Sequence, residues 1–168
     1  MPLGVEPVNV PLIQAAERRT ERDILLYCNF HLGHKYRHRE NIRPDLWRQF
    51  AHQPWVTADP WRPDRAADYI AQLGRSCFVL SPPGYAWDCY RTYEAIAMGA
   101  IPIVKRHPPI TNHLEALPAL LVNDWSDVTE DRLRNYWAPA KGIDSITMSC
   151  WRWRIHEAAA ECRQGVMA

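Results

Sequence analysis

Residues 77–105, CFVLSPPGYAWDCYRTYEAIAMGAIPIVK, constrain the fold more than any other stretch of this chain. The apolar run CFVL ends in Ser81-Pro82-Pro83-Gly84. Proline has no N–H for a ladder, so a central strand stops there. The next residues read as a helix, with Asp88 placed to cap it and Gly99 to end it. IPIV then resumes an apolar strand. Strand, loop, helix, turn and strand make a βαβ unit, whose crossover is right-handed. The helix begins beside the loop, where free N–H groups and the helix dipole favour an anion. Arg91 and Glu94 lie near that end.

The rest of the chain repeats the alternation. Residues 1–21 read as an extended lead-in broken by Pro2, Pro7 and Pro11. ILLYCNF, residues 24–30, is a first buried strand, and residues 31–39 form a basic, histidine-rich loop. A helix over 40–52 is interrupted or started at Pro44. Residues 55–57 form a short second strand. An amphipathic helix over 64–74 presents Ala67, Ile70, Ala71 and Leu73 on one side. After the central unit come a short helix at 112–116, a fifth strand at 119–122 and a helix to about 137 capped by Thr129. A last helix is expected over 146–163, within a C-terminal helical segment, 141–168, that packs on the domain. Five short apolar strands separated by helices predict an α/β domain with a doubly wound, mostly parallel, Rossmann-like sheet. Ligands in such sheets bind outside the carboxyl ends of the strands. That edge gathers residues 31–39, 81–88 and 105–111.

Composition excludes several classes. A length of 168 residues suits one domain with a real core. A net charge of +1 gives no reason to expect nucleic acid or an anionic membrane as partner. No apolar run approaches the about 20 residues of a membrane span. The N-terminus lacks a signal-peptide pattern, because Glu6 and three prolines interrupt it. The five cysteines are odd in number, scattered and without CxxC spacing, which argues against a zinc knuckle or a disulfide framework. A cytoplasmic, reducing compartment is the simpler expectation. The cations are nearly all arginine, which suits bidentate phosphate binding and equally reflects a skewed composition.

The candidate site residues each carry two readings. Arg91 and Glu94 form either an i,i+3 surface ion pair or a ligand-facing pair. Asp88 only caps the helix, or caps it and also contacts the ligand. Gly84 serves a turn or lets a ligand approach closely. Lys105, at the end of a strand, is a phosphate contact or a solvated lysine. His31, His34 and His38 invite a metal, but Lys35, Arg37 and Arg39 repel one, so no metal is expected. The loop instead suits an anion, with Arg37 or Arg39 touching it, or is simply a solvated basic loop. His31, directly after the first strand, is a candidate general base, since an imidazole can take a hydroxyl proton near neutral pH. Trp151 and Trp153 suggest a stacking patch, or core packing of one of them.

Taken in order, FVLSPPG (78–84), DCYRTYEA (88–95) and GAIPIV (99–104) resemble the exostosin-like glycosyltransferases. LYCNF at 26–30 and NDW with VT at 123–129 agree with the same family. The resemblance covers roughly residues 22–140, expected to form one nucleotide-sugar-binding domain. It implies the C-terminal, donor-binding half of a GT-B glycosyltransferase, using a nucleotide-diphosphate sugar and no bound metal or cofactor. It further implies that Glu94 binds the ribose hydroxyls and that Arg91 meets the diphosphate and aids catalysis. The loop bearing Ser81, Pro83 and Gly84 would approach the nucleotide. A complete GT-B enzyme has a second, acceptor-binding domain that usually carries the base, and only about 20 residues precede this one. Three function classes follow. They are a glycosyltransferase acting on a glycan or other hydroxyl acceptor with a partner domain, a non-catalytic nucleotide-sugar-binding half-domain, and a self-associating interaction protein.

Overall fold

The computed structural model describes residues 4–16, 21–33, 41–84, 87, 89–108 and 111–140. Five strands, β1 (Ile24–Cys28), β2 (Val56–Ala58), β3 (Ser76–Leu80), β4 (Ile101–Lys105) and β5 (Leu120–Val122), form a single sheet. Every pairing is parallel, and the spatial order is β2-β1-β3-β4-β5. The register sets Leu26 opposite Val56 and Phe78, and Ile103 opposite Leu120. β3 lies at the centre and is buried along its whole length, as a parallel strand covered on both faces must be.

The helices are α1 (Val10–Ala15), α2 (Arg43–Phe50), α3 (Ala66–Arg75), α4 (Tyr90–Ala97) and α5 (Glu130–Ala140). Two core layers follow from the strand alternation. Leu26, Phe78, Leu80 and Ile103 pack with Leu46 and Phe50 of α2 and Leu133 of α5. Tyr27 and Val79 point the other way, onto Ile70 and Leu73 of α3 and Ala95 of α4, and Ile24 at the start of β1 joins that cluster. The sheet is therefore doubly wound, as the sequence pattern predicts.

Helix ends follow local chemistry. Gly99 takes φ +76° just past α4. Its N–H reaches the Ile96 carbonyl at 2.9 Å, and the Ala100 N–H reaches the Ala95 carbonyl at 2.8 Å. This left-handed glycine cap satisfies the last carbonyls. On the amino edge of the sheet Arg22 donates to the carbonyls of Gly74 (3.2 Å), Ser76 (2.7 Å) and Met98 (2.9 Å), tying the ends of α3 and α4 together. Thr129 caps α5 as expected, its hydroxyl accepting from the Arg132 N–H at 3.3 Å.

Several sequence expectations shift. The lead-in is not uniformly extended: Pro7–Asn9 form a 3-10 turn that runs into α1. Pro7 and Pro11 sit in first-turn positions, where the missing N–H is not needed, so they start helical turns rather than prevent them. The helix expected at 64–74 begins as a 3-10 turn, Pro63–Arg65, and continues as α3. The N-cap position of α4 falls on Cys89, whose side chain makes no cap bond. Asp88, Arg39 and the helix expected at 146–163 lie outside the described residues.

Candidate functional site

The chain winds outward from β1 to β2, then crosses to β3 on the other side of β1 and continues to β4 and β5. The reversal lies between β1 and β3, and the crevice above it opens at their carboxyl ends. Phe30 and His31 leave β1 there, Ser81 to Gly84 leave β3, and α4 starts there.

Arg91, in the first turn of α4, is buried, with 9% of its surface exposed. Its Cζ lies 5.7 Å from the centre of the Phe30 ring. Its Nε is buried and has no hydrogen-bond partner, and it makes no salt bridge among the described residues. The surface ion pair with Glu94 does not form. A buried guanidinium without a carboxylate is costly unless an anion joins it.

A second arginine converges on the same ring. Arg43 of α2 is buried, and its Cζ is 6.0 Å from the Phe30 centre. Its Nε donates to the Pro83 carbonyl at 3.0 Å and its Nη1 to the His31 carbonyl at 3.0 Å. One side chain thus spans the crevice and joins the loops after β1 and β3. Sequence reasoning missed Arg43, because its partners are 12 and 40 residues away along the chain. Gly84 makes room for it: a Cβ there would lie 3.1 Å from Arg43 Nη2.

Behind the loop lies a hydroxyl and thiol cluster. Ser81 Oγ is 2.9 Å from Thr92 Oγ1 and 3.2 Å from Cys89 Sγ. Arg91 Nη1 points at the same sulfur, at 3.8 Å. Ser81 therefore holds the start of α4 against β3. Among the described residues Cys28, Cys77 and Cys89 form no disulfide.

Glu94 lies deeper than a cleft-facing residue. It is buried, and both carboxylate oxygens accept hydrogen bonds. Asn9 Nδ2 donates to Oε1 at 2.8 Å and the Tyr69 hydroxyl to Oε2 at 2.7 Å. Burial and the adjacent Glu94 charge raise the Tyr69 phenol well above its ordinary range, so it stays a donor.

Lys105 pairs with Asp124, its Nζ donating to Oδ2 at 2.9 Å. Asp124 in turn caps the 3-10 turn Trp125–Asp127, accepting from the Ser126 N–H. That backbone bond, with Lys105 second, holds the Asp124 carboxyl well below the usual range. The Asp-Trp pair of the resemblance thus has a local structural duty here. His31 is exposed, edge-on to Trp61, and its Nδ1 accepts from the Gly33 N–H at 3.1 Å. With Nδ1 accepting, a neutral ring carries its proton on Nε2. Trp87 stacks on His107 with ring centres 3.5 Å apart and planes 18° apart, linking the loops after β3 and β4. No group of three or more His, Cys, Asp or Glu side chains among the described residues is arranged to hold a metal ion. No helix among them is long and apolar enough to cross a membrane.

Comparison with known proteins agrees with this architecture. Ribitol-5-phosphate xylosyltransferase 1 of Danio rerio is 30% identical over 113 residues, covering 62% of this chain and 26% of that protein. The Homo sapiens protein of the same name is 32% identical over 113 residues, covering 62% and 25%. The Mus musculus protein is 30% identical over the same length. The chain spans about a quarter of the length of these curated relatives. The family model for the RXYLT1 C-terminal domain matches residues 9–131, from Asn9 through the first residues of α5. That match bears out the resemblance to the C-terminal half of exostosin-like glycosyltransferases. With most of its length so matched, the chain belongs to the RXYLT1 C-terminal domain family.

Proposed function

We propose that this chain is the donor-binding domain of a glycosyltransferase. It holds a nucleotide-diphosphate sugar in the crevice between β1 and β3, for transfer of the sugar to a hydroxyl acceptor. The observation that carries this reading is Arg91, a buried guanidinium whose Nε has no partner among the described residues, at the start of a helix above a sheet reversal. As the glycosidic bond breaks, the departing nucleoside diphosphate gathers negative charge. A fixed guanidinium and first-turn N–H groups stabilise that charge without reorganising, an effect worth several kcal/mol in enzymes. In this reading no divalent metal takes part. Glu94 reads the ribose hydroxyls, and the Trp87–His107 stack flanks the base. The catalytic base lies elsewhere, on chain outside these residues or on a partner. The name of the relatives, ribitol-5-phosphate xylosyltransferase 1, supports pentosyl transfer, with xylose as the sugar and a ribitol 5-phosphate group at the acceptor.

The test is calorimetric titration of the full chain with UDP, GDP, CDP, ADP and their common sugar conjugates, with and without EDTA. One base series is expected to bind, and the chelator to leave its Kd unchanged. A folded chain that binds none of them overturns the donor-site reading. Binding abolished by EDTA overturns its metal-free part.

A further inference from the structure

Glu94 is already answered by two donors, one on each carboxylate oxygen. That is the pattern in which a carboxylate meets a vicinal diol. The two donors differ in how they are held. Tyr69 belongs to α3, its ring packed against the core cluster beside Tyr27. Asn9 arrives on the 3-10 turn and α1, and it is the only fully buried residue of those two elements. Its neighbours Val8 and Val10 are exposed, at 70% and 37%. Leu12, Ile13 and Ala16 pack only partly against the core. Few buried contacts mark a segment that opens locally at low cost.

The Asn9 contact is also incomplete. Its Nδ2 donates to Glu94, but its Oδ1 is buried with no partner among the described residues. A desolvated acceptor offsets much of what one hydrogen bond gains. The contact is therefore close to balance, as a displaceable one must be. Glu94 itself is only 3% exposed, so a ligand diol reaches it only when something withdraws.

We propose that Asn9 stands in for a ligand hydroxyl and that residues 7–15 form a strap over Glu94. The ribose diol of a ribonucleoside diphosphate displaces Asn9, and the strap lifts. This inference rests on the donor-site reading above. It adds that affinity is set by competition between an internal amide and the ligand, since a ligand shifts such an equilibrium only through its differential affinity.

The experiment compares the wild-type full chain with Asn9→Ala and Asn9→Asp. Each is titrated with the nucleoside diphosphate that binds best among UDP, GDP, CDP and ADP. Asn9→Ala is expected to lower Kd about fivefold, the scale of one ordinary hydrogen bond that no longer has to be broken. Asn9→Asp sets a second carboxylate against Glu94 and is expected to lower Kd as well. Hydrogen exchange on the wild-type chain needs no variant: amides of residues 10–15 are expected to exchange faster at saturating nucleotide. An unchanged or raised Kd in both variants, or unchanged exchange, overturns the strap and leaves the donor site standing. Absence of binding by any of the three folded chains removes the donor site and the strap together.

Discussion

Arg43 lies over Gly84 so closely that a Cβ on the glycine would come within 3.1 Å of the guanidinium. The same guanidinium donates to the carbonyls of His31 and Pro83, one on each side of the crevice. The arginine bridges the two loops that border the crevice, and Gly84 leaves room for it.

Gly84→Ala tests this relationship. The added methyl forces Arg43 to shift, and overpacking of this kind costs about 1 kcal/mol or more. The backbone at Gly84 is not left-handed, so strain in φ contributes nothing. We expect a lower urea midpoint and weaker nucleotide binding together. An unchanged midpoint and Kd would show that the loop yields and leaves the Arg43 bridge in place.

Arg91→Met separates ligand binding from folding. Methionine fills similar space beside Phe30 and removes a buried charge that has no carboxylate partner among the described residues. Replacing uncompensated charge with apolar volume is neutral or stabilising. The thermal midpoint should therefore hold or rise, while nucleoside diphosphate affinity falls at least about tenfold, the scale of a lost charge-assisted bond. A destabilised variant that still binds would reverse the assignment.

Alkaline pH should weaken the fold. Burial pushes the Cys28 thiol from 9.0 up to about 12. Burial also raises the Tyr27 and Tyr69 phenols. All three stay protonated in the folded chain at a pH where the unfolded chain has begun to lose its protons. The folded state then binds more protons, so stability falls as pH rises. Their contribution is complete below about pH 9 and is lost as pH climbs towards the raised folded values. Thermal midpoints measured from about pH 8 to about pH 11 should fall steadily. A flat profile would mean that these groups are not desolvated. In the same samples, peptide mapping after brief alkylation near pH 8 should find Cys89, half-buried, modified well ahead of Cys28, which is fully buried.

Much of the fold was legible because its signals are local. Gly99 ends α4 by a conformation that glycine alone adopts cheaply, and the Pro-Pro-Gly run had to end β3. Apolar runs of strand length separated by amphipathic stretches were enough for a parallel α/β sheet. What escaped depends on distant pairings. Asn9 meets Glu94 across 85 residues, and nothing around either residue announces the other. Arg43 reads as an ordinary first-turn arginine until Pro83 folds over it. Lys105 looked poised for a phosphate, yet Asp124, 19 residues on, takes its charge. The prolines of the lead-in misled for a different reason: proline both breaks extended pairing and begins helical turns, and the flanking residues did not decide between them.

The placing of β1 between β2 and β3 bears on how the molecule assembles. Ile24 finds Ser76 only after α2, β2 and α3 have been looped out between them. Closing that loop loses more chain entropy than any other neighbouring-strand pairing in the sheet, and its contacts come only afterwards. The crevice is the gap above those two strands, so it does not exist before that step. A folding intermediate built from β3, α4 and β4 would carry Arg91 and the whole Pro-Gly motif, and would still have no site.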